Sequence, residues 1–292
     1  MKQLINDITA QLLPCYPEDE ARSLAWWIVE EETGLSRSQI LSGCKSTTNF
    51  SNLQAIIERL LHFEPIQYIF GHTEWCGLDL KLTPATLIPR PETAELVERI
   101  LGIPEYRNTD IPLKILDVGT GSGCIALALK KAHPNWQITG IDISPEAIDV
   151  ARENAARNHL DVSFQVADIF DSIEKNHQLP ITNHQYDIVV SNPPYICERE
   201  KSSMCPNVLN FEPPTALFVP DSDPLRFYRR IAQLFARTPY TVHHTPTYLF
   251  FEINEAFGEA MRDLLADLGY TDIQITKDIY GKARIIEGRM VG

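Results

Sequence analysis

The 292-residue chain has no run of lysine or arginine longer than two, as at Lys130-Lys131 and Arg229-Arg230, and its formal charge is −13. A protein that grips long nucleic acid neutralises phosphates with a basic face, and this composition supplies little material for one. The six cysteines, Cys15, Cys44, Cys76, Cys124, Cys197 and Cys205, form no Cys-x-x-Cys pair, and no histidines share metal-ligand spacing; His243 and His244 are merely adjacent. Reduced cysteines used for packing are expected, and no metal. The longest apolar runs, Leu24–Val29 and Cys124–Leu129, have six residues. That is far short of the roughly 20 needed to cross a bilayer. Asp7 stands where a signal peptide needs an apolar core, so a cytoplasmic chain without membrane contact is expected. Internal repeats and low-complexity tracts are also missing. What the chain does have is 44% apolar residues, enough for one large domain and a smaller one.

Residues 1–70 carry helical spacing: Leu4, Ile5, Ile8 and Leu12; then Ala21, Leu24, Ala25 and Ile28 within Glu18–Glu32; then Leu53, Ile56, Ile57, Leu60 and Leu61. This predicts a small helical domain for holding a partner macromolecule, with Trp26 and Trp27 in its core and Glu30–Glu32 on a solvated face. Residues 71–90 form a linker, where Trp75, Leu78, Leu80 and Leu82 alternate between glycines as in a β-hairpin. Leu87-Ile-Pro-Arg-Pro-Glu-Thr93 reads as an ordinary helix start, with Pro91 in the first turn and Glu92 at the positive end.

Across residues 91–292 strands alternate with helices. Strands are predicted at Leu113–Val118, Trp136–Ile141, Val162–Val166, Tyr186–Ser191, Tyr248–Ile253, Asp272–Thr276 and Ala283–Glu287. Helices fall between the earlier ones, over Ser122–Ala132, Pro145–Asn158 and Pro224–Phe235. This is the rhythm of an α/β, doubly wound, mostly parallel seven-stranded sheet of Rossmann-like form. Gly281 suggests a closing hairpin and an antiparallel last strand. The proline-rich stretch from Asn192 to Pro220 reads as a long loop, a binding surface or lid.

Four strand ends carry chemistry. In Tyr186-Asp-Ile-Val-Val-Ser-Asn-Pro-Pro-Tyr195 the prolines lack N–H groups and stop the strand at Asn192, at the carboxyl edge where open α/β sheets bind ligands. Asp117-Val-Gly-Thr-Gly-Ser-Gly123 follows the first strand. Gly119, Thr120, Gly121, Ser122 and Gly123 can turn tightly and come close to a ligand, with helix N–H groups beyond. The loop lacks the Gly-x-x-x-x-Gly-Lys-Ser/Thr pattern of a triphosphate site. Asp142, 19 residues after Gly123, suits both hydroxyls of a ribose, which fits a dinucleotide or S-adenosylmethionine equally. Asp168 and Ile169 end a third strand, where the acid can accept from an adenine amine.

Joined with Asn192-Pro193-Pro194-Tyr195, these strand ends resemble the class I S-adenosylmethionine-dependent methyltransferases that methylate planar nitrogens. More narrowly, the chain resembles the release factor glutamine methyltransferases of the HemK or PrmC type. Glu64-Pro-Ile-Gln-Tyr-Ile-Phe-Gly71, Leu87–Thr93, Asp117–Ala128, Asp142-Ile-Ser144, Val190–Ile196, Phe211–Phe218 and Phe251-Glu-Ile253 match that family's signatures in order. Two segments depart from it. Phe218–Leu225 lacks expected glycines, and Thr238–Thr247 lacks the usual Pro-Gly-Gly turn.

The resemblance implies methyl transfer from S-adenosylmethionine, leaving S-adenosylhomocysteine, to the glutamine amide of a Gly-Gly-Gln motif in class 1 peptide chain release factors. The enzyme would be a monomer. Asn192, which also borders the cofactor, and the Pro193 carbonyl would accept the two hydrogens of the –NH2 group, while Tyr195 and Pro194 stack on the planar amide. An adenine or guanine amino-methyltransferase shares the tetrapeptide but would need a basic groove or target-recognition domain. A non-catalytic cofactor-binding module would be expected to carry a broken tetrapeptide.

Overall fold

The computed structural model describes residues 1–104, 112–171, 186–236, 247–278 and 280–290, which fall into two compact units. The first comprises Met1–Gly71 and Cys205–Phe211. Its N-terminal helices are α1 (Lys2–Leu12), α2 (Glu18–Thr33), α3 (Arg37–Leu41), α4 (Leu53–Leu61) and α5 (Ile66–Phe70), and its later segment carries the short helix Pro206–Phe211. Glu18, Asp19 and Glu20 occupy the positive end of α2, and Gly34, at φ 64°, closes its other end. The apolar stripes meet at Ile8, Leu12, Ile28, Ile57 and Leu60, all essentially inaccessible. Trp26 and Trp27 only flank this core, and the Arg37 guanidinium lies 4.7 Å from the Trp26 ring. α3 and α5, five residues each, are too short to print an amphipathic period in the sequence.

The second unit, His72–Met204 with Glu212–Gly292, begins with the antiparallel hairpin β1 (His72–Trp75) and β2 (Leu78–Lys81). Then come α6 (Pro91–Leu101), β3 (Lys114–Val118), α7 (Cys124–Ala132), β4 (Gln137–Asp142), α8 (Pro145–Arg157), β5 (Ser163–Val166) and β6 (Ile188–Ser191). The stretch after Asn192, expected as a loop, is instead built from short elements: β7 (Ile196–Cys197), a 3-10 turn at Glu198–Ser203, α9 (Pro206–Phe211), α10 (Pro214–Leu217) and β8 (Phe218–Val219). Two of its prolines mark helix starts rather than breaks. Pro206 opens α9 and Pro214 opens α10, positions where the missing N–H costs nothing. The chain ends with α11 (Arg226–Ala236), β9 (Thr247–Glu252), α12 (Gly258–Asp267), β10 (Thr271–Lys277) and β11 (Ala283–Met290). Residues 238–246, where the Pro-Gly-Gly turn was missed, lie outside the described residues.

The main sheet has seven strands in the order β10-β11-β9-β6-β3-β4-β5. β5, β4, β3, β6 and β9 run parallel, and β11 is antiparallel to both β9 and β10. Both faces are covered, so the central strands are apolar on each side. Ile115, Ile188, Val190 and Phe250 join one cluster, with Trp75, Leu78 and Leu80 of the hairpin. Leu116, Val189, Leu249 and Phe251 join the other, with Tyr228 and Ile231 of α11. Among the described residues no helix is long and apolar enough to cross a membrane.

This topology positions the site. The chain winds outward from β3 in both directions, through β4 on one side and β6 on the other, so the topological switch point, where open α/β sheets bind ligands, falls at the carboxyl ends of these strands. The registers run Val118 with Ile141, Val118 with Ser191, and Ser191 with Phe251. The next residue along each strand is therefore Asp142, Gly119, Asn192 and Glu252. Four chemically distinct groups thus stand in one row along the sheet edge.

Candidate active site

The glycine loop grows directly out of β3. The Gly119 and Thr120 N–H groups donate to the Ile141 carbonyl, and Gly121 N–H donates to Asp142 Oδ2 at 2.9 Å. Gly119 and Gly121 take φ values of 72° and 54°, and a Cβ on either would meet no heavy atom within 4 Å. Open space therefore lies above both. Gly123 is different: at φ 81° its Cβ would lie 2.9 Å from the Phe164 ring and 3.2 Å from Ala151, so packing already demands a glycine there. The Thr120 and Ser122 side chains are buried; Thr120 donates to Asp117 Oδ2 at 2.6 Å, so only their backbones can face a ligand. Asp117 lies wholly inside, and burial pushes its carboxyl up to about 7, against the hydrogen bond from Thr120.

Asp142 is held rigidly. Its Oδ2 takes the Gly121 N–H and its Oδ1 the Ser144 N–H at 3.0 Å, which fixes a carboxylate that can still accept from a diol. Burial raises its pKa, and the backbone N–H groups of Ser144 and Gly121 oppose the rise. Beyond the tip of β5, half-buried Asp168 accepts the Phe170 N–H on Oδ1 at 2.8 Å, and Ile169 is buried beside it. Ile143, which follows Asp142, is 60% exposed although apolar.

Asn192 begins where β6 stops. Its Nδ2 donates to Thr93 Oγ1 at 3.2 Å, while among the described residues nothing donates to its Oδ1 or to the Pro193 carbonyl. Thr93 in turn donates to Glu252 Oε2 at 2.7 Å, and the Tyr195 hydroxyl donates to Glu252 Oε1 at 3.0 Å. Asn254 Nδ2 donates to the Tyr195 carbonyl at 3.3 Å and bridges to Glu200, which also receives the Cys197 N–H. The Asn-Pro-Pro-Tyr turn is thus fixed at both ends. Pro193 is buried, and Pro194 and Tyr195 are half-buried.

Thr93 and Glu252 were not legible as site residues. Thr93 lies in the first turn of α6, and helix-start chemistry already explains its segment. That turn is anchored from the far side: Glu212 is buried and accepts from Ile88 N–H at 3.2 Å and from Arg90 Nη2 at 2.5 Å. Trp75 Nε1 donates to the Arg90 carbonyl at 3.1 Å. Among the described residues Asn192 Oδ1 and the Pro193 carbonyl are acceptors without donors, which suits a ligand bearing two N–H hydrogens.

The arginines of α11, Arg226, Arg229 and Arg230, line a pocket with Phe170, Asp223 and Gln233, and each already has a partner there. Arg229 pairs with Asp223 at 2.9 Å, Arg230 donates to the Ile169 and Asp171 carbonyls, and Arg226 lies over the Phe170 ring.

Residues 111–241 match a family described as a methyltransferase domain, and residues 3–71 match the PrmC N-terminal domain. The chain is 42% identical to a release factor glutamine methyltransferase of Bacteroides thetaiotaomicron, over 98% of this chain and 99% of that one. It is 40% identical to one from Flavobacterium psychrophilum, over 98% of each chain. In fold it is similar to a methyltransferase from Pyrococcus furiosus, with a TM-score of 0.51 at 18% identity, covering 82% of this chain and 98% of that structure.

Proposed function

Since the chain belongs to the release factor glutamine methyltransferase family, we propose that it methylates the side-chain amide nitrogen of the glutamine in the Gly-Gly-Gln loop of class 1 release factors, with Asn192 and the Pro193 carbonyl holding that nitrogen. The single observation that carries the assignment of the site is the state of Asn192. Its amide nitrogen is tied back to Thr93 and its oxygen has no donor among the described residues, one residue past the register that sets β6 against β3.

The residues fit S-adenosylmethionine. Gly119 and Gly121 leave an open cradle that side chains would fill, Asp142 presents a fixed carboxylate suited to the ribose hydroxyls, and Oδ2 of Asp168, without a partner among the described residues, suits the adenine amine. Thr120, Ser122 and Gly123 contribute through the backbone. The cofactor, when bound, supplies a methyl group on a positively charged sulfur.

An amide nitrogen is a poor nucleophile because its lone pair is delocalised into the carbonyl. Two acceptors that take both of its hydrogens orient the lone pair along one direction and favour the pyramidal nitrogen that attacks. Asn192 Oδ1 and the Pro193 carbonyl supply those acceptors, and Pro194 with the Tyr195 ring flanks the planar amide. Holding the nitrogen and the methyl in near-attack geometry contributes several kcal/mol, on the order of 7 for a well-oriented pair. A carbon–nitrogen bond forms as the carbon–sulfur bond breaks, and the nitrogen, more acidic once alkylated, releases a proton to water. S-Adenosylhomocysteine leaves as the second product. The protein acts as a monomer, with residues 1–70 holding the body of the release factor and residues 71–90 joining them to the methyltransferase domain of 91–292.

The assignment is tested by incubating the protein with labelled S-adenosylmethionine and either an intact release factor or nucleic acid. One methyl on the Gly-Gly-Gln glutamine, absent from a Gln→Ala factor by mass spectrometry, is expected. Label on DNA or RNA instead would make the chain a nucleic-acid amino-methyltransferase.

A further inference from the structure

A side-chain amide can face a substrate with either end, and only one end of Asn192 is useful. With Oδ1 outward it accepts from an –NH2 group; with Nδ2 outward it would present two hydrogens to two hydrogens. Nothing in the covalent structure of asparagine decides between them. The neighbour that decides is Thr93, whose Oγ1 lies 3.2 Å from Nδ2. A hydroxyl carries one hydrogen, so it can donate to only one neighbour. That hydrogen is committed to Glu252 Oε2 at 2.7 Å, and the other carboxylate oxygen takes the Tyr195 hydroxyl, so Glu252 accepts on both sides; burial raises its pKa, and the hydrogen bonds from Thr93 and Tyr195 oppose the rise. Toward Asn192, Thr93 can therefore only accept, and the group it accepts from must be the amide nitrogen.

The same carboxylate holds the aromatic wall. Its other oxygen takes the Tyr195 hydroxyl at 3.0 Å. Glu252 is 1% exposed, the last residue of β9, and one step beyond the register of Phe251 with Ser191. Burying a carboxylate is costly, and a site needed only for packing would be filled at less cost by an apolar side chain. Here both oxygens are spent on hydroxyls that end at the Asn-Pro-Pro-Tyr turn.

From this geometry we infer that Glu252 is a positioning residue: acting through Thr93 it sets which end of the Asn192 amide faces the reacting nitrogen, and through the Tyr195 hydroxyl it holds the ring beside it. The inference rests on the assignment of Asn192 given above. Replacing the carboxylate by an amide breaks the logic without removing bulk. In Glu252→Gln the new –NH2 can donate to Thr93, whose hydrogen is then free for Asn192 Oδ1, and the asparagine can turn over. Thr93→Val removes the hydroxyl at nearly constant shape.

The experiment measures kcat and KM for the intact release factor, together with calorimetric affinity for S-adenosylhomocysteine, in Thr93→Val, Thr93→Ser, Glu252→Gln, Asn192→Ala and the Thr93→Val/Asn192→Ala pair. Loss of a group that orients a catalytic side chain lowers kcat by about 10–100-fold. That loss is expected in Thr93→Val and Glu252→Gln, with KM and cofactor affinity within about threefold of the parent. Thr93→Ser should recover most of the rate lost in Thr93→Val. Because Thr93 acts through Asn192, Thr93→Val should cost nothing further once Asn192 is alanine.

Full activity of Thr93→Val and Glu252→Gln, alongside an impaired Asn192→Ala, would overturn the inference and leave the assignment of Asn192 standing. So would losses that multiply in the double variant, or that appear in KM and cofactor affinity alone. A fully active Asn192→Ala would overturn the assignment itself. Should Glu252→Gln fail to fold, the Thr93 series and the double variant decide the question by the same criteria.

Discussion

The Ser191 hydroxyl donates to the Val118 carbonyl at 2.6 Å, joining the tips of β6 and β3 at the point where the glycine loop and Asn192 leave the sheet. Both residues are buried, so this bond is shielded from water. Ser191→Ala should lower unfolding free energy by about 1–2 kcal/mol and reduce the methylation rate by loosening the spacing between cofactor and nucleophile. Urea unfolding and steady-state kinetics check both, and an unchanged rate would show that the strap does not set the spacing.

The glycines of the loop should separate into two kinds. Gly121 has a positive φ but open space where a Cβ would go, whereas a Cβ at Gly123 meets Phe164 and Ala151. Gly121→Ala should therefore weaken S-adenosylmethionine binding more than it lowers the melting temperature, with a strain cost of about 1 kcal/mol. Gly123→Ala should destabilise the fold by about 1–3 kcal/mol, from overpacking, whether or not cofactor is present. Calorimetry and thermal melts distinguish them; the reverse ranking would place the ligand elsewhere.

Asp142→Ala removes the acceptor proposed for the ribose. Cofactor affinity should fall by about 1.5–3 kcal/mol, the range for a hydrogen bond to a charged group. An unchanged isothermal titration would remove Asp142 from the site.

Asp117 makes stability depend on pH. Burial raises its folded-state pKa to about 7 from the ordinary 3.8, so the folded state holds a proton that the unfolded state has lost between those values. This group's contribution is complete below pH 3.8 and is lost as pH rises through about 7. Relative to Asp117→Asn, the cofactor-free parent should lose stability as pH rises from about 5 to about 8. Parallel stability profiles for the two proteins would contradict the burial argument.

The sheet was legible because its strands are short apolar runs closed by chemistry that ends strands: prolines after Asn192, glycines after Val118, acids at Asp142 and Asp168. The strand boundaries read from the sequence fall within two residues of β3, β4, β5 and β6. The elements between Ile196 and Val219 were not legible, because Pro206 and Pro214 look like breaks until the helices they start are seen. Thr93 and Glu252 stayed hidden for another reason. Each is unremarkable in its own segment, and their relation to Asn192 exists only once β9 lies beside β6 and α6 is clamped by Arg90 and Glu212. A hydrogen-bond relay between residues 99 and 159 positions apart leaves no local pattern.

The central claim is that Asn192 acts on the reacting nitrogen more than on the fold or the cofactor. The most direct test is the single-turnover rate of methyl transfer from S-adenosylmethionine to an intact release factor by Asn192→Ala, measured at saturating cofactor. The rate should fall by about 100-fold or more, with cofactor affinity and melting temperature close to the parent's. A rate within a few-fold of the parent's would contradict it.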